Sequence, residues 1–145
     1  MDRIRVGLIG IGLMGTAIAR RLLAAHFDVM GFDVDAGKRE SLATLGGIPA
    51  GSAAEVAANC STVVIAVFST DQVEQVVEGS GGLLATAVRT AICMSTCDPD
   101  RIEALAVRAA AHGLALLEVP VSGTSTQVAR GEGVALVAGD QGAVG

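Results

Sequence analysis

Three glycines constrain this chain more than any other feature: Gly10, Gly12 and Gly15 in the segment Gly10-Ile11-Gly12-Leu13-Met14-Gly15. They follow a short apolar run at 4–9. They open a stretch, 13–25, with no breaker after Gly15 and with apolar residues at helical spacing. Short glycine patterns arise by chance; a strand before and a helix after give this one its meaning. In such a junction the first glycine allows a tight turn. The second lets backbone approach a ligand, and the third lets the helix pack close to the strand. The helix N-terminus then offers unpaired N–H groups and a partial positive charge, which suit a pyrophosphate. Gly10, Ile11, Gly12, Leu13, Met14 and Gly15 are therefore candidate cofactor-binding residues.

Strand and helix signals alternate along the rest of the chain. Strands are expected at 29–32, 62–67, 90–94, 114–119 and 134–138. A helix at 36–45 ends at Gly46-Gly47. Ser52-Ala-Ala-Glu55 reads as a capping box opening a helix through Ala58. Ser69 or Thr70 caps a helix at 71–77. Asp98 caps another, with Pro99 at its first position, running to Ala111. This alternation predicts an α/β fold of Rossmann type, doubly wound, its sheet mainly parallel with helices on both faces. Ligands of such sheets bind at the carboxyl ends of the strands. The segments to watch are thus 10–15, Asp33, 68–70, 95–98 and 120–124.

Asp33 stands 18 residues after Gly15, at the end of the second expected strand. A carboxylate there can accept hydrogen bonds from the ribose hydroxyls of NAD, and it repels the extra phosphate of NADP. Lys38 and Arg39, one turn further on, are the opposing signal for a phosphate. NAD is the expected cofactor, with NADP the weaker candidate.

Composition narrows the alternatives. A chain of 145 residues suits one domain, read here as a dinucleotide-binding domain over 1–145. Hydrophobic residues make up 51 %, yet Phe27, Phe32 and Phe68 are the only aromatics, so Val, Leu, Ile and Ala must build the core. A net charge of −5 with dispersed cations argues against nucleic acid. No apolar run reaches the roughly 18 to 20 residues of a membrane span. The apolar run near the N-terminus breaks at glycines, so no signal peptide is expected and the expected compartment is the cytoplasm. Cys60, Cys93 and Cys97 fit no zinc or CxxC spacing and read as small buried hydrophobes; no metal is expected.

With these motifs in view, the chain resembles the β-hydroxyacid dehydrogenases. That family includes 3-hydroxyisobutyrate dehydrogenase, tartronate semialdehyde reductase and, more distantly, 6-phosphogluconate dehydrogenase. The glycine loop with methionine before its third glycine carries the resemblance. So do Ser95-Thr96-Cys97-Asp98-Pro99, similar to a Ser-Thr-x-x-Pro loop, and Glu118-Val-Pro120-Val-Ser122-Gly123-Thr124, similar to the substrate segment. The resemblance implies that amides of Leu13 and Met14 serve the pyrophosphate and that Asp33 holds the adenosine ribose. It also implies that Phe68 and Ser69 line the adenine-side ribose and that Thr96 touches the nicotinamide ribose. Ser122, Gly123 and Thr124 would grip the substrate. The sequence departs from the family at Thr124, where a second glycine is usual, at Cys93-Met94, where Asp-Ser is usual, and at Glu118, where aspartate is commoner.

The implied activity is hydride transfer between a nicotinamide cofactor and a short 3-hydroxy acid, of the 3-hydroxyisobutyrate or tartronate semialdehyde type. Such transfer needs a group to move the hydroxyl proton, and the resemblance implies a lysine on a later helix. Lys38 is the single lysine and sits toward the adenine end, so the implied lysine is expected beyond Gly145 and no residue of 1–145 is read as catalytic. His26 and His112 fall at helix ends and read as surface or cap residues. The expectation is therefore a cofactor-binding half without the family's all-helical second domain, inactive alone and prone to homo-oligomerise through an exposed apolar face. Two other readings stay open: a dinucleotide-binding or partner-pairing module without catalysis, and a relative that reduces imines.

Overall fold

Helices begin where a side chain can take up orphan amides. In the computed structural model, which describes residues 3–84, 86–119, 121–122, 127 and 134–135, Asp35 accepts from the Gly37 N–H at 2.8 Å and starts α2 (Ala36–Leu45). Gly46, at φ 102°, ends that helix in the left-handed region that glycine tolerates. Ser52 accepts from the Glu55 N–H and starts α3 (Ala53–Asn59). The expected capping box there is only half formed, because the Glu55 carboxylate takes the Gly51 N–H instead. A complete box forms at Ser69, whose partner Gln72 closes it and starts α4 (Thr70–Glu78). Asp98 takes the Asp100 and Arg101 amides and starts α5 (Pro99–Ala110), with Pro99 in the first turn. The remaining helix, α1 (Leu13–Ala24), has no side-chain cap at Gly12.

Between them run β1 (Arg5–Ile9), β2 (Asp28–Phe32), β3 (Ile48–Pro49), β4 (Thr62–Ile65), β5 (Thr90–Cys93) and β6 (Ala115–Glu118). They form one parallel sheet in the order β3-β2-β1-β4-β5-β6. This is the doubly wound Rossmann arrangement, and the order reverses between β1 and β4. Two short strands, β7 (Val121–Ser122) and β8 (Val134–Ala135), pair antiparallel in a separate sheet. The expected strand at 134–138 thus does not extend the parallel sheet; its residues 136–138 lie outside the described residues. The sequence reading also missed β3, a two-residue edge strand in which Pro49 is tolerated because an edge needs no second ladder.

Strand alternation splits the core into two layers. Val63 and Ile65 point to α3, α4 and α5, joining Val56, Val73, Val77 and Leu105, all fully buried. Val64 points the other way, joining Leu8, Val29 and Leu42 under α1 and α2. Each such side chain contributes about 1.5–3 kcal/mol on burial, so the sheet is fixed from both faces and its strand ends are held in place. On the outside, Arg108 grips Glu78 at 2.7 and 2.9 Å and Arg101 pairs with Asp71 and Glu74, tying α5 to α4. Being exposed, these pairs are screened by solvent and add little to stability. Among the described residues no helix is long and apolar enough to cross a membrane.

The β1–α1 junction is the tightest place in the fold. Gly10 has φ 98°, and a Cβ there would lie 2.3 Å from the Ala66 carbonyl oxygen. A Cβ on Gly15 would lie 2.1 Å from the Gly10 carbonyl oxygen. Both neighbours are backbone, which cannot rotate away. Gly15→Ala should therefore destabilise the protein by about 2–3 kcal/mol, read by urea unfolding. A loss below about 0.5 kcal/mol, the size of an ordinary surface change, would mean that helix and strand do not meet this closely.

Candidate functional site

The loops after β1, β2 and β4 converge where the strand order reverses. Between them lies a crevice of about 670 Å³. Gly10 and Gly12 form its floor, Phe32, Asp33 and Val34 one wall, and Val67 and Phe68 the other. A second hollow, about 830 Å³, continues past Gly12 and Leu13 toward Thr16 and Arg20. Phe68 lines both and is 84 % exposed. A phenyl ring left this open at a junction of two hollows is available to a ligand.

The glycine loop is built to present amides. Thr16 closes the first helical bond, to the Gly12 carbonyl at 2.9 Å. The amides of Leu13, Met14 and Gly15 therefore precede any intrahelical acceptor, and no side chain caps them. Gly12 itself has ordinary extended backbone, φ −80° and ψ −158°. A Cβ there would meet only the Phe68 ring, at 3.8 Å. The protein thus has no packing reason for glycine at this position, in contrast to Gly10 and Gly15. Gly12 lines both hollows, and Leu13, the first residue of α1, lines the second. This is the cradle a diphosphate requires: donors, positive helix polarity and no side chain in the way.

Ile11 behaves differently. Its side chain is buried, and its N–H donates to Asp33 Oδ2 at 2.8 Å. Asp33 Oδ1 accepts from the Asp35 N–H at 2.9 Å. One carboxylate thus ties the glycine loop to the β2–α2 turn while remaining on the crevice wall. Each oxygen keeps lone-pair capacity beyond these single bonds. Arg39, which sequence reasoning set against Asp33 as a phosphate attractor, is drawn back. Its Nη1 donates to the Asp33 carbonyl at 2.7 Å, and its guanidinium lies 5.7 Å from the centre of the Phe32 ring.

The remaining sequence-derived positions scatter. The Ser69 hydroxyl is spent capping α4 and does not line the crevice. Thr96 is exposed on the loop after β5, beyond the crevice walls. Ser122 lies in β7, which pairs with β8 and not with the parallel sheet; Gly123 and Thr124 lie outside the described residues. Gly145, beyond which the implied proton-transferring lysine is expected, also lies outside the described residues. His26 closes the α1 terminus with φ 68°, and His112 is exposed after α5, so both sit at helix ends as expected. Lys38 reaches both hollows on the β2 side. Sequence reasoning missed Gln72, Gln75 and Val76, which complete the outer wall. Their spacing on α4, three and four residues apart, was the available signal, but polar residues on a helix read first as solvated.

The loop after β5 corrects another expectation. Cys60 and Cys93 are buried, but Cys97 is partly exposed, and its sulfur stands 3.8 Å from that of Cys93. Burial, together with the neighbouring Cys97, pushes the Cys93 thiol up to about 12. Between the two cysteines the Ser95 hydroxyl accepts the Val67 N–H at 3.0 Å. That bond is why β4 ends at Ile65 rather than continuing to Val67: the Val67 amide leaves the ladder for a side chain.

Comparison with known proteins bears on this geometry. Residues 5–145 match the family described as the NAD binding domain of 6-phosphogluconate dehydrogenase. L-threonate dehydrogenase of Cupriavidus necator is 35 % identical over 136 residues, 92 % of this chain and 46 % of that protein. Cytokine-like nuclear factor N-PAC of Xenopus tropicalis is 33 % identical over 141 residues, 95 % of this chain and 26 % of that protein. A crystal structure of 3-hydroxyisobutyrate dehydrogenase from Salmonella typhimurium superposes with a TM-score of 0.86 at 30 % identity, covering 95 % of this chain and 49 % of that one. The chain thus spans half or less of each of these relatives. A glycine loop with uncapped helix amides at the sheet's switch point and a family match over nearly the full chain agree: the chain belongs to the family of the NAD binding domain of 6-phosphogluconate dehydrogenase.

Proposed function

We propose that residues 1–145 form the dinucleotide-binding domain of an NAD-dependent dehydrogenase acting on a short 3-hydroxy acid. The observation that carries this reading is Gly12. Its missing side chain serves no contact within the protein, and it sits where the uncapped end of α1 opens to the crevice. In this reading the Leu13, Met14 and Gly15 amides bind the diphosphate, with Gly10 and Ile11 shaping the loop behind them. Asp33 accepts from the adenosine ribose, and Phe68 covers the adenine-side ribose. Asp33 and Asp35 both line the crevice at the end of β2, and Arg39 is held back by the Asp33 carbonyl. That charge balance supports NAD over NADP, whose ribose phosphate would meet both. When bound, the nicotinamide supplies the hydride acceptor or donor.

The hydroxy-acid part rests on two supports. One is the likeness of residues 118–124 to a substrate segment, with Ser122, Gly123 and Thr124 as the substrate-binding positions and Thr96 at the nicotinamide ribose. The other is the names of the relatives, a threonate dehydrogenase and a 3-hydroxyisobutyrate dehydrogenase. Proton transfer to or from the substrate belongs to none of the residues named here, since Lys38 stands on the adenine side of the crevice. In this reading it falls to a lysine beyond Gly145. A second reading, a dinucleotide-binding module without turnover, is favoured by the similarity to a nuclear factor rather than an enzyme by name. Assay of the native protein that carries residues 1–145 separates the two: turnover of a short 3-hydroxy acid supports the dehydrogenase, and dinucleotide binding without turnover supports the module.

Calorimetry tests the cofactor directly. NADH should bind more tightly than NADPH, and the opposite order overturns the NAD assignment. Gly12→Val, whose extended backbone suits a β-branched residue, should leave the unfolding midpoint nearly unchanged while weakening NADH about a hundredfold, roughly 2.7 kcal/mol. Unchanged affinity would remove the diphosphate from this loop. Asp33→Ala should weaken NADH more than NADPH; an equal loss would assign Asp33 a purely structural role.

A further inference from the structure

The two thiols of the β5–α5 loop form a cluster that dinucleotide binding does not use. Cys93 is the last residue of β5 and fully buried; Cys97 is partly exposed, one residue before the cap of α5. Their sulfurs stand 3.8 Å apart. A disulfide needs about 2.05 Å, so closure asks for a movement of roughly 1.8 Å. Cys93 cannot supply it, because β5 is paired on both sides, Ile65↔Cys93 and Cys93↔Glu118. The α5 end is also pinned: Asp98 caps the helix, and its N–H donates to the Thr70 hydroxyl at 3.0 Å. The movement must fall on residues 95–97, which carry Thr96 and the Ser95 hydroxyl that holds the Val67 amide on the crevice wall.

We propose that Cys93 and Cys97 are a reversible thiol-modification site, closed to a disulfide by low-molecular-weight disulfides, and that closure lowers affinity for the dinucleotide. The second half rests on the dinucleotide reading above; the first does not. Chemistry assigns the order of events. Cys97 is the accessible sulfur, so its thiolate attacks one sulfur of the small disulfide, forming a mixed disulfide and releasing one small thiolate. Cys93 then attacks the Cys97 sulfur, expelling the second small thiolate. In sum, two protein thiols are oxidised to one disulfide, one small disulfide is reduced to two small thiols, and both protons go with the leaving groups. Burial keeps Cys93 protonated in the resting protein. The second step therefore draws on proximity, the resolving sulfur being already in contact with its target. Cys60, also buried and with its thiol pushed up by burial, has no second sulfur beside it among the described residues and serves as an internal control.

The test treats the purified protein with glutathione disulfide and then blocks remaining thiols with iodoacetamide. Residues 90–101 leave a tryptic digest as one peptide holding Cys93 and Cys97 and no other cysteine. This peptide should have lost two hydrogen atoms, carry no label and regain both thiols with dithiothreitol, while Cys60 stays reduced. Cys93→Ser should stop at a glutathione adduct on Cys97. In the same samples the oxidised protein should bind NADH about tenfold more weakly than the reduced one, and the Cys93→Ala/Cys97→Ala double variant should not respond to oxidant. Two free thiols, or a glutathione adduct on Cys97 in the unmutated protein, would overturn the modification site. A closed disulfide with unchanged NADH affinity would overturn the coupling. Absence of NADH binding by the reduced protein would sink the dinucleotide reading and the coupling with it, while the peptide mass still decides the bond.

Discussion

The contact between helix and strand at the β1–α1 junction governs everything built above it. A Cβ on Gly15 would strike the Gly10 carbonyl oxygen, and one on Gly10 the Ala66 carbonyl oxygen, so neither residue can carry a side chain. That approach sets α1 hard against the end of β1, and no side chain caps its first amides. The Gly10 amide donates to the Phe32 carbonyl at 3.0 Å, and the Ile11 amide to Asp33. The turn is therefore bolted to β2 on its other side. A loop fixed on two sides can present donors without paying for their ordering when a ligand arrives.

The crevice follows from the strand order. After β1 the chain runs outward to β2 and β3, then returns through α3 to β4 and runs outward on the other side to β5 and β6. The loops after β1 and β4 therefore turn to opposite sides, and the hollow is lined by both. Asp33 is the hinge of the arrangement: it braces the glycine loop with one oxygen, the β2–α2 turn with the other, and remains on the crevice wall. On the far side, the Ser95 hydroxyl fastens the β4 loop to the β5 loop. The chemistry of the β5 loop, including its paired thiols, is thus mechanically connected to the wall that carries Val67 and Phe68.

Much of this was legible in the sequence, for reasons that can be named. Gly10, Gly12 and Gly15 announce the junction because their spacing between a strand and a helix has few other uses. Asp98-Pro99 and Gly46 marked helix ends because their capping chemistry is local. What escaped was non-local. The bond from Val67 to Ser95 links residues 28 apart and shortens β4, and no window along the chain reveals it. The half-formed box at Ser52 turned on whether Glu55 bonds Gly51 or Ser52, a choice between adjacent amides. β3 has two residues and a proline, too little pattern to read. Cys93 and Cys97 matched no ligand spacing, yet a strand end and a turn bring their sulfurs together. At the site, the sequence indicated the loop, Asp33, Phe68 and a cap of α4 at Ser69 or Thr70; it did not reveal that α4 supplies a wall.

The proposed role of the main-chain amides at the start of α1 is to receive a diphosphate. Its most direct test is an amide-resolved NMR titration with ADP, which carries the diphosphate and adenosine but no nicotinamide. The largest shifts are expected at the amides of Leu13, Met14 and Gly15, saturating together with those around Asp33. Saturable binding that leaves the α1 amides unmoved would contradict it.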